Sequence, residues 1–136
     1  MNPEIALSVD LRYLVYTALL SLLIWIPYVA ANAATKGVGR AMGYPTAEYG
    51  DLAEWAQRTY RAHMNLVENL VPFAALVLVA HVIGAANELT ALGARLFFWG
   101  RIVQIAVQIL GVPWLRTLAF LVGWIGNLII LVQILY

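Results

Sequence analysis

Cysteine is absent from this chain of 136 residues. Disulfides, thiolate metal sites and a cysteine nucleophile are therefore all excluded. Charge is scarce as well. Asp, Glu, Lys and Arg make up 11% of the residues, against about a quarter in soluble domains. The net charge is +1 and the only lysine is Lys36, which leaves no basic surface for nucleic acid and no polybasic segment for anionic lipid. Two isolated histidines, His63 and His81, make no metal site. No internal repeat or low-complexity run is visible. Apolar residues fill the remainder, at 63%, and the mean hydropathy is +0.82. A chain of this size forms one domain, and this composition places it in a lipid bilayer as an all-α integral membrane protein.

Four spans are expected in that single domain, over about 13–34, 58–83, 94–110 and 115–136, each close to the ~20 apolar residues needed to cross. The third is the shortest and the second the most polar. The first connection, 35–57, holds Gly37, Gly39, Gly43, Pro45 and Gly50 with Glu48, Asp51 and Glu54, a turn-rich polar segment. The other connections are short. Ala31-Asn32-Ala33 resembles a signal-peptidase site, but Glu4 and Asp10 precede it and the apolar run is too long, so no cleavage is expected. Lys36, Arg40, Arg58, Arg61 and Arg116 gather on the side of loops one and three. The positive-inside rule puts those loops in the cytoplasm and both termini outside.

Arg58, Arg61, Asn65 and Glu68 are spaced by three, four and three residues, which puts them on one face of a helix. Beyond them, Leu70 to Ile83 contains no Asp, Glu, Lys or Arg. A charge near mid-bilayer costs roughly 2.5–3.5 kcal/mol on insertion scales, so such a residue faces a bundle interior or a wet cavity. A second stripe, Arg101, Gln104 and Gln108, repeats the spacing in the third span. Glu68 and Arg101 each lie about 15 Å from the same membrane face at 1.5 Å per residue. Antiparallel helices would then pair Glu68 with Arg101, Asn65 with Gln104, and Arg61 with Gln108. A buried charge is tolerated when paired. Arg61 has no acid at its own depth, and a spare guanidinium at a cleft suits a carboxylate or phosphate.

The run Arg61-Ala62-His63-Met64-Asn65-Leu66-Val67-Glu68, followed by Pro72-Phe73, resembles the signature of the membrane-associated proteins in eicosanoid and glutathione metabolism, the MAPEG family. Its pattern is Arg, Asn four on and Glu three further, in the second of four spans. The local form, with Arg58 ahead of it, is closest to the microsomal prostaglandin E synthases. Gly100-Arg101 and Leu115-Arg116-Thr117 are similar as well, so the resemblance covers about 35–136. It implies a homotrimer of four-helix protomers, and association through spans one and two is expected because it would bury the polar stripe. Glutathione would bind between protomers, open to the cytoplasm, and the second substrate would be a lipophilic small molecule. By the resemblance, Arg61, Asn65 and Glu68 hold glutathione and Arg101 closes the site against Glu68. Arg116 stabilises the thiolate there, and Thr117 can add a hydroxyl hydrogen bond. The membrane would be the inner membrane of a bacterium or the endoplasmic reticulum of a eukaryote.

The chain departs from that pattern at two positions. Gln108 stands where well-studied members have tyrosine, and Gln104 where tyrosine or histidine is common. Glutamine can hydrogen-bond a ligand but is a poor proton donor. Glutathione binding is thus better supported than any one turnover. The leading expectation is a glutathione-dependent transferase or peroxidase acting on a lipophilic electrophile. The rivals are a small four-span proton-coupled exporter carrying its proton on Glu68, and a non-catalytic protein of the same fold. Other residues read as structural. His63 lies off the stripe, His81 near the outer interface, and Pro27 and Pro72 kink spans. Gly123 and Gly126 permit close helix approach.

Overall fold

The computed structural model describes residues 6–136, and every described element is helical. The helices are α1 (Val9–Leu23), α2 (Trp25–Lys36), α3 (Val38–Ala41), α4 (Glu54–Val82), α5 (Glu88–Leu110) and α6 (Pro113–Leu135). A 3-10 turn, Ala47–Tyr49, lies in the long connection before α4.

Local chemistry sets these ends. Ser8 caps α1 by accepting from the Leu11 amide. Asn87 accepts from Leu89 and Thr90 while Thr90 returns a bond to the Asn87 amide, a reciprocal cap that starts α5 at Glu88 and not near Ala94. Gly111, at φ 82°, ends α5 in the left-handed region that glycine enters freely. Pro113 opens α6, where its missing N–H costs nothing. The first apolar stretch is interrupted at Ile24. Pro27 lacks the N–H that the Leu23 carbonyl would receive. Pro72 sits inside an unbroken α4 and leaves the Glu68 carbonyl without its helical donor.

Three stretches are long and apolar enough to cross a membrane: Val9–Lys36, Glu54–Val82 and Pro113–Leu135. Four were expected. The exception is α5, which has the length, 23 residues, but carries Arg95, Arg101, Gln104 and Gln108. The last three are buried. α5 is the central helix, packed against α6, α4 and α1, so its polar face points into the protein while its composition falls short of a lipid-facing span.

α5 and α6 form the most extensive helix pair. A Cβ on Gly93 would stand 2.6 Å from the Gly126 carbonyl oxygen, and one on Gly100 would stand 2.9 Å from the Gly123 amide. Small residues on both helices thus bring the backbones together. The main core joins Phe73, Val77 and Ala80 of α4 to Ala94 and Phe97 of α5 and Ile130 of α6. Phe73 and Phe97 stack with centroids 3.9 Å apart. At the opposite end from the cleft, Asp10 is buried and accepts from Thr90 Oγ1 at 3.2 Å, tying α1 to α5. Large apolar side chains such as Val15, Leu19, Leu22, Val71, Leu78, Leu118 and Ile125 remain exposed on the outer faces. Soluble monomers rarely expose so much, and a bilayer or a neighbouring subunit covers such faces.

Candidate functional site

α4 has 29 residues, about 44 Å at 1.5 Å per residue, well beyond a ~30 Å hydrocarbon core. Its N-terminal turns meet the C-terminal end of α5. Arg58 Nε donates to the Ile109 carbonyl at 2.9 Å, and Arg58 Nη1 donates to Glu54 at 3.1 Å. Arg58 therefore satisfies an end carbonyl of α5 and is committed to joining two helices. Its spacing makes Arg58 a candidate ligand residue beside Arg61, but it does not line the main cleft and borders a smaller hollow shared with Arg61 and Arg116.

The main cleft, of about 660 Å³, is lined by Tyr60, Arg61, Met64, Asn65 and Glu68 of α4, Gln104 and Gln108 of α5, Arg116, Thr117 and Phe120 of α6, and Glu48 of the long connection. The two sequence stripes do meet. Gln104 Nε2 donates to Asn65 Oδ1 at 2.7 Å, the contact expected from antiparallel register. The neighbouring pairs differ from expectation. Within the chain, Arg101 does not meet Glu68. Its Nη1 donates to Asn65 Oδ1 at 3.2 Å and to Gln104 Oε1 at 2.5 Å, and among the described residues no acid lies within ion-pair reach. Glu68 is exposed on the protomer. The reason is helical drift. At 100° per residue Glu68 lies about 60° round from Asn65, away from buried Leu66 and Phe73, so it takes the outer shoulder of α4. Arg61 in turn lies against Glu48 from the long loop, 3.4 Å away, where no acid was expected.

Arg101 is only 1% exposed. It sits behind Asn65 and Gln104 and does not line the cleft. Its guanidinium is held between Phe97 and Phe120, 4.9 and 4.7 Å from the ring centroids, in space that Gly123 leaves free. A Cβ there would stand 3.2 Å from Arg101 Nε. Nε and Nη2 of Arg101 have no hydrogen-bond partner, nor does Oε1 of buried Gln108. Burying a charge in this way is costly, so the protein keeps a cation next to the cleft that its own groups only partly compensate.

The charges around the cleft are consequently biased. Arg61, Arg101 and Arg116 face Glu48 and Glu68, a surplus of one positive charge. Arg116 is exposed near the start of α6, where the helix dipole adds positive potential. Thr117 Oγ1 donates to the Pro113 carbonyl at 3.3 Å, so its proton is engaged in its own helix while its oxygen can still accept. Arg61, Gln108 and Arg116 also border the second, smaller hollow, with Arg58 and Gly111 on its other side.

Spacing missed four lining residues. Tyr60 and Met64 stand one turn apart beside the α4 stripe, and Phe120 lies one turn beyond Arg116, so helical periodicity contained their signal. Glu48 carried none, because a flexible-looking loop does not announce where it folds back. His63 is a packing residue. Its Nδ1 lies 2.8 Å from the Tyr28 hydroxyl, with Tyr49 and Tyr60 in the same cluster. No group of His, Asp and Glu that could hold a metal occurs among the described residues.

Compared with known proteins, residues 13–136 match the family model described as MAPEG family. No curated protein and no solved structure matches the chain.

Proposed function

Because the chain belongs to the MAPEG family, we propose that it is a glutathione-dependent membrane transferase or peroxidase acting on a lipophilic electrophile. In this reading the protomer spans the bilayer four times, with α5 as the sheltered span. Three protomers assemble, and the end that carries the long loop faces the cytoplasm. The observation that carries the reading is the cleft itself, in which Arg61 and Arg116 line the wall and the under-compensated guanidinium of Arg101 stands behind Asn65 and Gln104.

The residues present fit glutathione, which carries two carboxylates, one ammonium and a thiol. Arg61 offers a planar fork for a carboxylate, and Glu68 offers an acceptor for the ammonium. Asn65 has both its partners fixed, so its position is set before a ligand arrives. Glutathione supplies the thiol that attacks or reduces the electrophile. The protein's part is electrostatic. Arg116 and the start of α6 place positive charge at the cleft wall, which favours a thiolate over a thiol. Neither Gln104 nor Gln108 can exchange a proton with the thiol, so stabilising the thiolate falls to the positive charge of Arg116 without a tyrosine. Membrane residence brings a water-borne thiol and a lipid-borne electrophile to one place.

Gln108 favours one other reading, a family member that binds glutathione without turning it over. Calorimetric binding beside a thiolate absorbance titration decides between them. The parent is expected to bind glutathione and to lower its thiol pKa. Arg61→Lys weakens binding although charge is kept. Arg116→Ala retains binding but loses the thiolate signal and turnover. No binding to the parent at millimolar glutathione refutes the proposal, and binding without a thiolate band supports the non-catalytic reading.

A further inference from the structure

Two non-glycine residues have positive φ among the described residues, and they are adjacent: Glu48 at 51° and Tyr49 at 55°. Side chains adopt this region rarely, and such a backbone persists where its surroundings hold it. Here the surroundings do so from three directions. The Tyr49 ring packs on Tyr28 and Tyr60, with centroids 5.1 Å from each. Asp51 pairs with Lys36 at 2.5 Å and accepts from Thr46 at 2.6 Å. Gln57 Nε2 donates to the Leu52 carbonyl at 2.7 Å. The product of this bracing is that Glu48 enters the cleft, its carboxylate 3.4 Å from Arg61 Nε.

A carboxylate on Arg61 is the chemistry expected of a bound ligand, and here the chain supplies it. The contact is long and both side chains are more than half exposed, which makes it weak and displaceable. We propose that Glu48 is an internal competitor for Arg61: the 47–49 turn holds a carboxylate where the ligand's carboxylate binds, and the ligand must displace it. The inference rests on the glutathione reading of the cleft. The Glu48 side chain occupies Arg61, and its rotation away frees the guanidinium while the braced backbone of the turn stays in place.

The test uses the full chain in phospholipid nanodiscs, with parent, Glu48→Gln and Glu48→Gly. Gln keeps the side-chain shape without the charge, and Gly also suits the positive φ. The first readout is phenylglyoxal modification of Arg61, mapped by peptide mass, with exposed Arg116 as the internal reference. Arg61 is expected to react several-fold faster in both variants while Arg116 is unchanged. The second is calorimetric glutathione affinity, expected to rise about two- to fivefold, the worth of an exposed ion pair. Equal Arg61 labelling in parent and variants overturns the contact. Faster labelling with unchanged affinity overturns the competition, and weaker affinity in the variants makes Glu48 a ligand contact instead. If neither parent nor variants bind glutathione, the functional proposal fails, and the labelling still decides whether Glu48 holds Arg61.

Discussion

Arg101→Met separates two accounts of the buried guanidinium. If Arg101 were half of a buried ion pair, removing it would strand an acid and cost about 3–5 kcal/mol. The structure gives a different sum. The substitution forfeits hydrogen bonds to Asn65 and Gln104, about 1.5–3 kcal/mol each because the donor is charged. It also removes two buried nitrogens without partners, each of which costs about 1–3 kcal/mol. The two contributions nearly cancel. Gln104 keeps Asn65 as its acceptor, and a methionine sulfur can replace part of the contact with Phe97 and Phe120. The expected stability is within about 2 kcal/mol of the parent. Asn65→Ala is expected to be worse, by about 2–5 kcal/mol, since it leaves Arg101 and Gln104 short of one shared acceptor. Equilibrium unfolding in mixed micelles measures both. Glutathione affinity should fall roughly tenfold in Arg101→Met, because one of three cations around the cleft is gone. A loss of 3–5 kcal/mol in Arg101→Met, or a milder Asn65→Ala, would refute this account and point to an acidic partner supplied by a neighbouring subunit.

Glu68→Gln should leave the stability of the protomer within about 0.5 kcal/mol of the parent, as expected of an exposed side chain, while weakening glutathione binding measured by calorimetry. Gly126→Ala drives a methyl group into the Gly93 carbonyl across α5 and α6 and should cost at least 1–3 kcal/mol, as overpacking does, read by the same unfolding assay. Gln108→Tyr should raise turnover by adding a hydroxyl donor beside the thiol, and an unchanged rate counts against that role. The Asp51 carboxyl is held below its ordinary range by hydrogen bonds from Lys36 and Thr46 and by the Lys36 charge. A depressed folded pKa gives a tether that is complete above the ordinary carboxylate value of about 3.9 and is lost as pH falls through the lower folded value. Tryptic cleavage after Arg40, normalised to Asp51→Asn, should therefore stay flat and slow from about pH 8 to about pH 5, and a rise within that range contradicts the tether.

The sequence by itself determined what depends on composition and period. Long apolar runs with few charges dictated helices in a bilayer, because only helices satisfy their own backbone groups there without partners. The spacing of Arg61, Asn65 and Glu68 placed them on one side of α4, and equal depth from the same end brought Asn65 opposite Gln104. Both follow from the fixed rise and turn of a helix. Tertiary structure alone decided which partners those residues take. Arg101 turns toward α6 because Gly123 leaves room for its guanidinium between Phe97 and Phe120, and no count along α4 and α5 reveals a gap on a third helix. Glu68 lies outside because a few tens of degrees of drift decide between core and surface once neighbouring helices fix where the core is. Arg58 is drawn off to the Ile109 carbonyl at the end of α5. Glu48 reaches Arg61 through a turn whose geometry depends on tyrosines from two helices. Periodicity describes each helix about its own axis, whereas contacts between helices depend on rotation and close approach, which packing alone sets.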